Sequence, residues 1–119
     1  MFDLAKTLKS IKKRANKDNL GMILVHNGVV RKTSKENNEP VKKLYISYDK
    51  EKLQKEIKKI EALSFIEAVE VWINSGWLEV GDDIMYVVLA GDRRKNILPV
   101  FENLIETIKN EIVKEVEEK

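Results

Sequence analysis

The chain has 119 residues, of which 22 are Lys or Arg, 20 are Asp or Glu and none is Cys, and its net charge is only +2. This length predicts a single domain over residues 1–119, and the near balance of charge gives no indication of a nucleic-acid or membrane partner. The absence of cysteine excludes disulfides, thiolate catalysis and cysteine-bound metals. No apolar run approaches the roughly 18 residues of a membrane span and the N-terminus has no signal-peptide core, so a cytoplasmic protein is expected.

The first part of the chain is predicted to form a helix and two strands. Apolar residues at helical spacing predict an amphipathic helix over residues 3–16, with a basic outer face. The branched apolar run GMILVHNGVV (21–30) predicts a strand with a possible bulge at Gly28. The polar stretch KTSKENNEP (32–40) predicts a mobile loop, and VKKLYISY (41–48) predicts the second strand.

The middle of the chain is predicted to form one helix and two further strands. Asp49 is a natural N-cap for a helix with an apolar stripe along one face. That stripe comprises Leu53, Ile57, Ile60 and Leu63. The alternating segment IEAVEVWI (66–73) predicts a strand, and the run 83–90 predicts another, reached through turns at Gly76 and Gly81.

A long helix is predicted near the C-terminus from apolar residues at helical spacing. These are Ile97, Phe101, Leu104, Ile105, Ile108 and Ile112. Proline is tolerated in the first turn of a helix, so Pro99 favours Asn96 rather than Asp92 as the N-cap. The order α-β-β-α-β-β-α, with short links between strands, favours an antiparallel sheet with packed helices and hence an α+β fold.

Three cations, Arg93, Arg94 and Lys95, stand between a predicted strand and this helix. A helix N-terminus offers free N–H groups and a positive dipole end, so this junction is suited to an anion; a solvated loop is the alternative.

The single histidine, His26, cannot form a histidine cluster and is expected to be structural or at the surface. No nucleotide-binding, serine-nucleophile or zinc-binding motif occurs, and no metal or cofactor is expected.

Three stretches, read together, resemble the large, catalytic subunit of molybdopterin synthase. The first, GMILVHNGVVRK (21–32), is similar to that family's strand ending in Gly-x-Val-Arg. The second, INSGWLEVGDDIMYVVLAGDRR (73–94), is similar to its Gly-x-Leu-x-x-Gly-Asp segment, strand and His-Arg pair. The third, IETIKNEI (105–112), is similar to its acidic-x-x-Lys helix. Their order and spacing over about residues 20–112 support the resemblance.

The resemblance implies an α/β hammerhead fold, a homodimer and a ubiquitin-like small sulfur-carrier subunit, together forming a heterotetramer. In that family the carrier's thiocarboxylate gives its sulfur to cyclic pyranopterin monophosphate, and two rounds form the dithiolene of molybdopterin. The chain is therefore expected to be a sulfurtransferase of molybdenum cofactor biosynthesis. By position, Arg31 and Arg94 match the family's arginines, Lys109 matches its first catalytic lysine, and Arg93 stands where the family has histidine.

The expected substrates explain the residue types at these positions. A cyclic phosphate and a thiocarboxylate are both anionic, which gives Arg31, Arg93 and Arg94 a role in substrate binding. Lys109 would polarise the thiocarboxylate carbonyl or protonate intermediates, which favours a partly desolvated lysine over a solvated one. Arg94 and Lys109 are separated by roughly 20 Å along a continuous helix at about 1.5 Å per residue. The site is therefore predicted to require both subunits of a dimer.

The C-terminal segment departs from the family pattern. A Pro-x-Trp-Lys segment normally supplies the second catalytic lysine, whereas KNEIVKEVEEK offers only Lys114, two positions early. In a continuous helix Lys114 points about 140° away from Lys109, toward solvent. Arg93 in place of histidine also removes a group that exchanges protons near neutral pH.

These departures leave two other hypotheses open. The first is a non-catalytic homologue that binds the pterin or the sulfur carrier without full activity. The second is a nucleic-acid binder that uses the basic first helix, although no recognised nucleic-acid motif occurs.

Overall fold

The computed structural model describes residues 1–34 and 39–118. In chain order these residues form α1 (Leu4–Arg14), β1 (Met22–Val29), β2 (Lys43–Tyr48), α2 (Lys50–Glu61), β3 (Ile66–Ile73), β4 (Gly76–Glu79), β5 (Asp83–Gly91), α3 (Arg94–Thr107) and β6 (Val113–Glu118). A π-helical turn over Ile108–Ile112 joins α3 to β6. The paired strands are antiparallel, which confirms the predicted α+β fold.

The strands form two three-stranded sheets with the orders β1-β5-β3 and β4-β2-β6. Strand β5 is central in the first sheet and has packed layers on both faces, which explains its nearly continuous apolar sequence. Met85, Val87 and Leu89 belong to a core that joins both sheets with α2 and α3. Val88 and Ala90 belong to a smaller core under α1.

Helix α1 covers the opposite face of the first sheet from α3. Asp3 caps its N-terminus, because its carboxylate accepts a hydrogen bond of 3.0 Å from the backbone N–H of Lys6. Ile11 is fully buried against the small core of the sheet, and the ring of Phe2 stacks on Tyr86 at a centroid distance of 4.9 Å. The basic residues of α1 therefore lie on the solvent side of a helix whose apolar side is already buried.

Several local predictions are confirmed. Asp49 caps α2, since its carboxylate accepts from the backbone N–H of Lys52 at 3.1 Å. The pairing of β1 with β5 changes register between Gly28 and Val29, as expected for a bulge. Thr33 pairs with Pro40 at the ends of the predicted loop over 32–40. The tip of that loop, 35–38, lies outside the described residues.

The start of α3 differs from the prediction. The N-cap is Arg93 rather than Asn96, and Pro99 lies inside the helix instead of in its first turn. Asp92 explains the early start, because its carboxylate accepts hydrogen bonds from the backbone N–H of Arg93 at 2.6 Å and from the side-chain amide of Asn96 at 3.1 Å. Burial of the apolar face of α3 offsets the cost of an interior proline.

Two strands were not predicted. The segment GWLE, interpreted as part of a turn, forms β4, and VKEVEE, interpreted as a continuation of the last helix, forms β6. Both pair with β2, so the second sheet exists only because segments distant in sequence meet there. Lys114 therefore lies on a strand and not on a helix.

No helix among residues 1–34 and 39–118 is long and apolar enough to cross a membrane.

The close packing at the end of β5 predicts a strong effect of one added methyl group. A Cβ at Gly91 would lie 2.5 Å from the Phe65 carbonyl oxygen and closer still to Ile97 Cγ2, so Gly91→Ala must displace backbone. We expect a loss of about 1–3 kcal/mol in the free energy of unfolding, measured by urea denaturation. A Cβ at Gly28 meets nothing nearer than 3.5 Å, and Gly28→Ala is the matched control that should lose no stability. Equal losses in both variants would contradict this packing.

Candidate functional site

A cleft of about 350 Å³ brings together charged side chains from opposite ends of the sequence. It lies where β1 and β5 meet the π-helical turn and β6. We call it the Arg31–Lys109 cleft, and it is lined by His26, Gly28, Val29, Arg31, Ile84, Met85, Lys109 and Glu115. Two of the candidate residues predicted from the sequence, Arg31 and Lys109, thus line the same cleft within one protomer.

Arg31 reaches the cleft from the end of β1. The bulge at Gly28 and Val29 lies immediately before it, and such bulges redirect the side chains that follow. Val30 next to it is buried, so this end of the strand is fixed while the Arg31 side chain remains exposed. The guanidinium is therefore carried by a well-anchored backbone and is available to a guest.

Lys109 comes from the π-helical turn after α3. Ile108 and Ile112 are buried on either side of it in sequence and anchor the turn to the main core. Turns of this kind are rare and frequently occur at functional sites. Lys109 itself is exposed in the protomer, in contrast to the partly desolvated setting expected from the sequence.

His26 also lines the cleft, which the sequence analysis did not predict. Its Nε2 is buried and has no hydrogen-bond partner among residues 1–34 and 39–118. Burial lowers the pKa of His26 below its ordinary value, and the positive charge of Lys109 lowers that pKa further. One signal was available in the sequence: alternation along β1 places His26 on the same side as Met22 and Leu24, which pack on the main core.

The cations at the start of α3 lie apart from this cleft. Arg93, Arg94 and Lys95 are exposed, and none of them lines it. The carboxylate of Asp92 already accepts the backbone N–H of Arg93 and the side-chain amide of Asn96 at this junction. Within one protomer the junction therefore does not add its charge to that of Arg31 and Lys109.

Lys114 also lies outside the cleft. Along β6, residues alternate between partly buried and exposed, and Glu115 faces the cleft while Lys114 is exposed. Lys114 instead lines a second cleft, of about 450 Å³, together with Tyr48, Asp49 and Lys52. The two lysines are thus presented to different surroundings in the protomer.

The lining of the Arg31–Lys109 cleft suits a guest that has both anionic and less polar groups. Two cationic side chains and an imidazole face one carboxylate, Glu115, while Val29, Ile84 and Met85 supply apolar surface. Cationic groups fixed by rigid elements stabilise negative charge on a guest without reorganising around it. No group of three or more metal-ligating side chains occurs among residues 1–34 and 39–118.

A family model described as the MoaE protein matches residues 2–111. No curated protein gives a significant match to the chain.

Solved structures show the same fold. The complex of subunits 1 and 2 of molybdopterin-converting factor from Helicobacter pylori 26695 is 24% identical, with 98% of this chain and 78% of that one covered at a TM-score of 0.71. Molybdopterin synthase from Staphylococcus aureus is 19% identical, with coverages of 94% and 83% and a TM-score of 0.71. The molybdopterin cofactor biosynthesis protein E from Burkholderia multivorans is 19% identical, with coverages of 98% and 84% and a TM-score of 0.70. Because the family model spans nearly the whole chain, the chain belongs to the MoaE protein family.

Proposed function

We propose that this chain is the large subunit of a molybdopterin synthase and transfers sulfur from a small-subunit thiocarboxylate to cyclic pyranopterin monophosphate, forming the dithiolene of molybdopterin. Family membership supports the pathway, and the H. pylori relative was solved as a complex of two subunits. The observation that carries the proposal is that Arg31 and Lys109, which the resemblance singles out, line one cleft.

The charges of the cleft match the two substrates of this reaction. Arg31 binds a phosphate or carboxylate oxygen, since a guanidinium can donate two hydrogen bonds to such a group. Once the sulfur has bonded to the pterin, water attacks the carrier's acyl carbon, the acyl C–S bond breaks and the carrier leaves as a carboxylate. Lys109 places an ammonium group near that carbonyl, where it stabilises the negative charge that develops on oxygen during the attack by water. The apolar lining by Ile84 and Met85 accommodates the less polar part of the guest.

A homodimer would complete the site with Arg93 and Arg94 of the second subunit, and the second sheet offers a surface for it. Trp77, Tyr45 and Val116 are directly paired across β4, β2 and β6 and form an exposed apolar row on one face. Trp77 is 58% exposed, and such a row is unusual for a free surface. We propose that a second copy of the chain covers it.

The charges beside this apolar row favour a second copy over another partner. On one side of the row lie Glu79, Lys43 and Glu118, and on the other side lies Lys114. A two-fold axis along the row would bring the acidic side of one copy against the Lys114 side of the other. The surface is therefore self-complementary, as a symmetric dimer requires.

The alternative is a homologue that binds pterin or carrier without transferring sulfur. The observation that favours it is the position of Lys114, which does not join Lys109 in the cleft. In the proposed synthase Lys109 is the principal catalytic lysine, and Lys114 would contribute only from the second cleft.

A reconstituted synthase assay tests the proposed reaction. The chain is mixed with thiocarboxylated small subunit and cyclic pyranopterin monophosphate, and dithiolene product is measured. We expect Lys109→Ala to reduce the rate by at least about 100-fold, because a positioned acid or electrophile is lost, and Arg31→Gln to raise KM for the pterin. Lys55→Ala, on the exposed side of α2, is the matched control, and Lys114→Ala is expected to retain product.

Two outcomes would redirect the proposal. Absence of product from the unaltered chain, with the small subunit still bound, would favour the binding homologue. Full activity in Lys109→Ala together with loss in Lys114→Ala would move catalysis to the second cleft.

The dimer is tested by the mass of the chain in solution. One copy has a mass of 13.8 kDa, and we expect light scattering to give twice that value. Trp77→Glu places two charges in the centre of the two-fold interface and should yield the monomer. Leu63→Glu alters an apolar residue that is also exposed but lies after α2, and it should leave the dimer intact. A monomeric unaltered chain, or a Trp77→Glu dimer, would contradict the proposed interface.

A further inference from the structure

We propose that His26 contacts the guest in the Arg31–Lys109 cleft, with its imidazole donating a hydrogen bond to an anionic oxygen held between Arg31 and Lys109. This inference deepens the proposed function and rests on it only for the identity of the guest. The structure itself supplies the position, the unsatisfied nitrogen and the surrounding charges on which the contact depends.

The position of His26 is fixed by the pairing of β1 with β5. His26 is opposite Val87 in the register, and its side chain lies on the side of β1 that faces the main core. It lines the cleft together with Arg31 and Lys109. Gly28, two residues further along the strand, leaves room beside the ring, because even an added Cβ there would stay 3.6 Å from His26 Nε2.

The buried Nε2 of His26 lacks a hydrogen bond among the described residues, and a bound guest could supply one. A buried polar nitrogen without a partner is costly, and such groups in native structures normally have a protein, water or ligand partner. The energy of a histidine ring depends only weakly on rotation about its Cβ–Cγ bond, so the ring can turn toward the cleft at low cost. A ring turned toward the cleft can pair with a guest oxygen, which supplies the partner that no side chain or backbone group within residues 1–34 and 39–118 provides.

The charges around His26 make this contact dependent on protonation. Lys109 faces it from the π-helical turn, Arg31 from the end of β1 and Glu115 from β6. The neighbouring residues of β5, which are Ile84, Met85 and Val87, are all apolar. The charged residues of the last part of α3, Glu102 and Glu106, are exposed.

Without a guest, burial and then the positive charge of Lys109 hold the pKa of His26 below its ordinary value, which favours the neutral ring. An anion favours the protonated ring and raises that pKa. Binding therefore takes up a proton, and affinity for the anion increases as the pH falls from 7.

The protein's single histidine makes a direct experiment possible. Its imidazole signals in a ¹H–¹³C correlation spectrum need no assignment, and they are followed from pH 5 to 8 in chloride and in sulfate at equal ionic strength. Sulfate serves as the probe because its charge does not change over this pH range. We expect the pKa of His26 to lie below 6.5 in chloride and to rise in sulfate. Arg31→Gln should abolish the rise, and Lys55→Gln should preserve it.

A second variant separates a direct contact from a structural role. His26→Phe keeps a ring of similar size and should bind sulfate roughly tenfold more weakly at pH 5.5, since one charge-assisted hydrogen bond is lost. Its affinity should no longer increase as the pH falls. A His26 pKa that is the same in sulfate and chloride, or unchanged pH dependence in His26→Phe, would overturn the inference.

The sulfur-transfer assay fails or succeeds independently of this result. If the unaltered chain forms no dithiolene but the pKa of His26 rises in sulfate, the anion contact stands and the synthase proposal falls. If dithiolene forms while the pKa of His26 does not respond, the synthase proposal stands and the contact by His26 is overturned.

Discussion

The pairing of β6 with β2 determines where the C-terminal part of the chain places its charged residues. It ends the helical path at Ile112, whose carbonyl accepts the backbone N–H of Asp49 at 3.0 Å, and it draws the following residues into the second sheet. The π-helical turn connects the end of α3 to the start of β6, where the chain changes direction. Lys109 in that turn and Glu115 on β6 thereby reach the end of β1, which is far away in sequence.

The side chains that line the resulting cleft differ in their exposure and charge. Arg31 and Lys109 remain exposed and charged, whereas the imidazole of His26 is partly buried and has a lowered pKa. An anionic guest would neutralise the two cations, and its negative charge would also favour the protonated form of the imidazole. The same physical property, concentrated positive charge beside a desolvated ring, accounts for the proposed substrate class and for the proposed role of His26.

Features set by short-range chemistry were predictable from the sequence. The Asp49 cap, the alternation along β3 and the bulge at Gly28 each depend on a few neighbouring residues. Strands β4 and β6 were not predictable in this way, because the first has only four residues and the second has a spacing that fits a helix as well as a strand; both are defined by pairing with β2. For the site, family motifs identified Arg31 and Lys109, and the alternation along β1 indicated only which face of the strand carries His26. That His26 lies beside Lys109, and that Lys114 faces elsewhere, depends on the long-range path of the chain.

We propose that Arg31 and Lys109 of one protomer act on the same bound anion. A double-mutant cycle on the affinity for cyclic pyranopterin monophosphate, with Arg31→Gln and Lys109→Gln alone and combined, measures this directly by calorimetry. If the two groups bind one guest, the loss of binding free energy in the double variant should differ from the sum of the two single losses by at least about 0.5 kcal/mol. Strictly additive losses would show instead that the two residues act at separate places and do not share one bound anion.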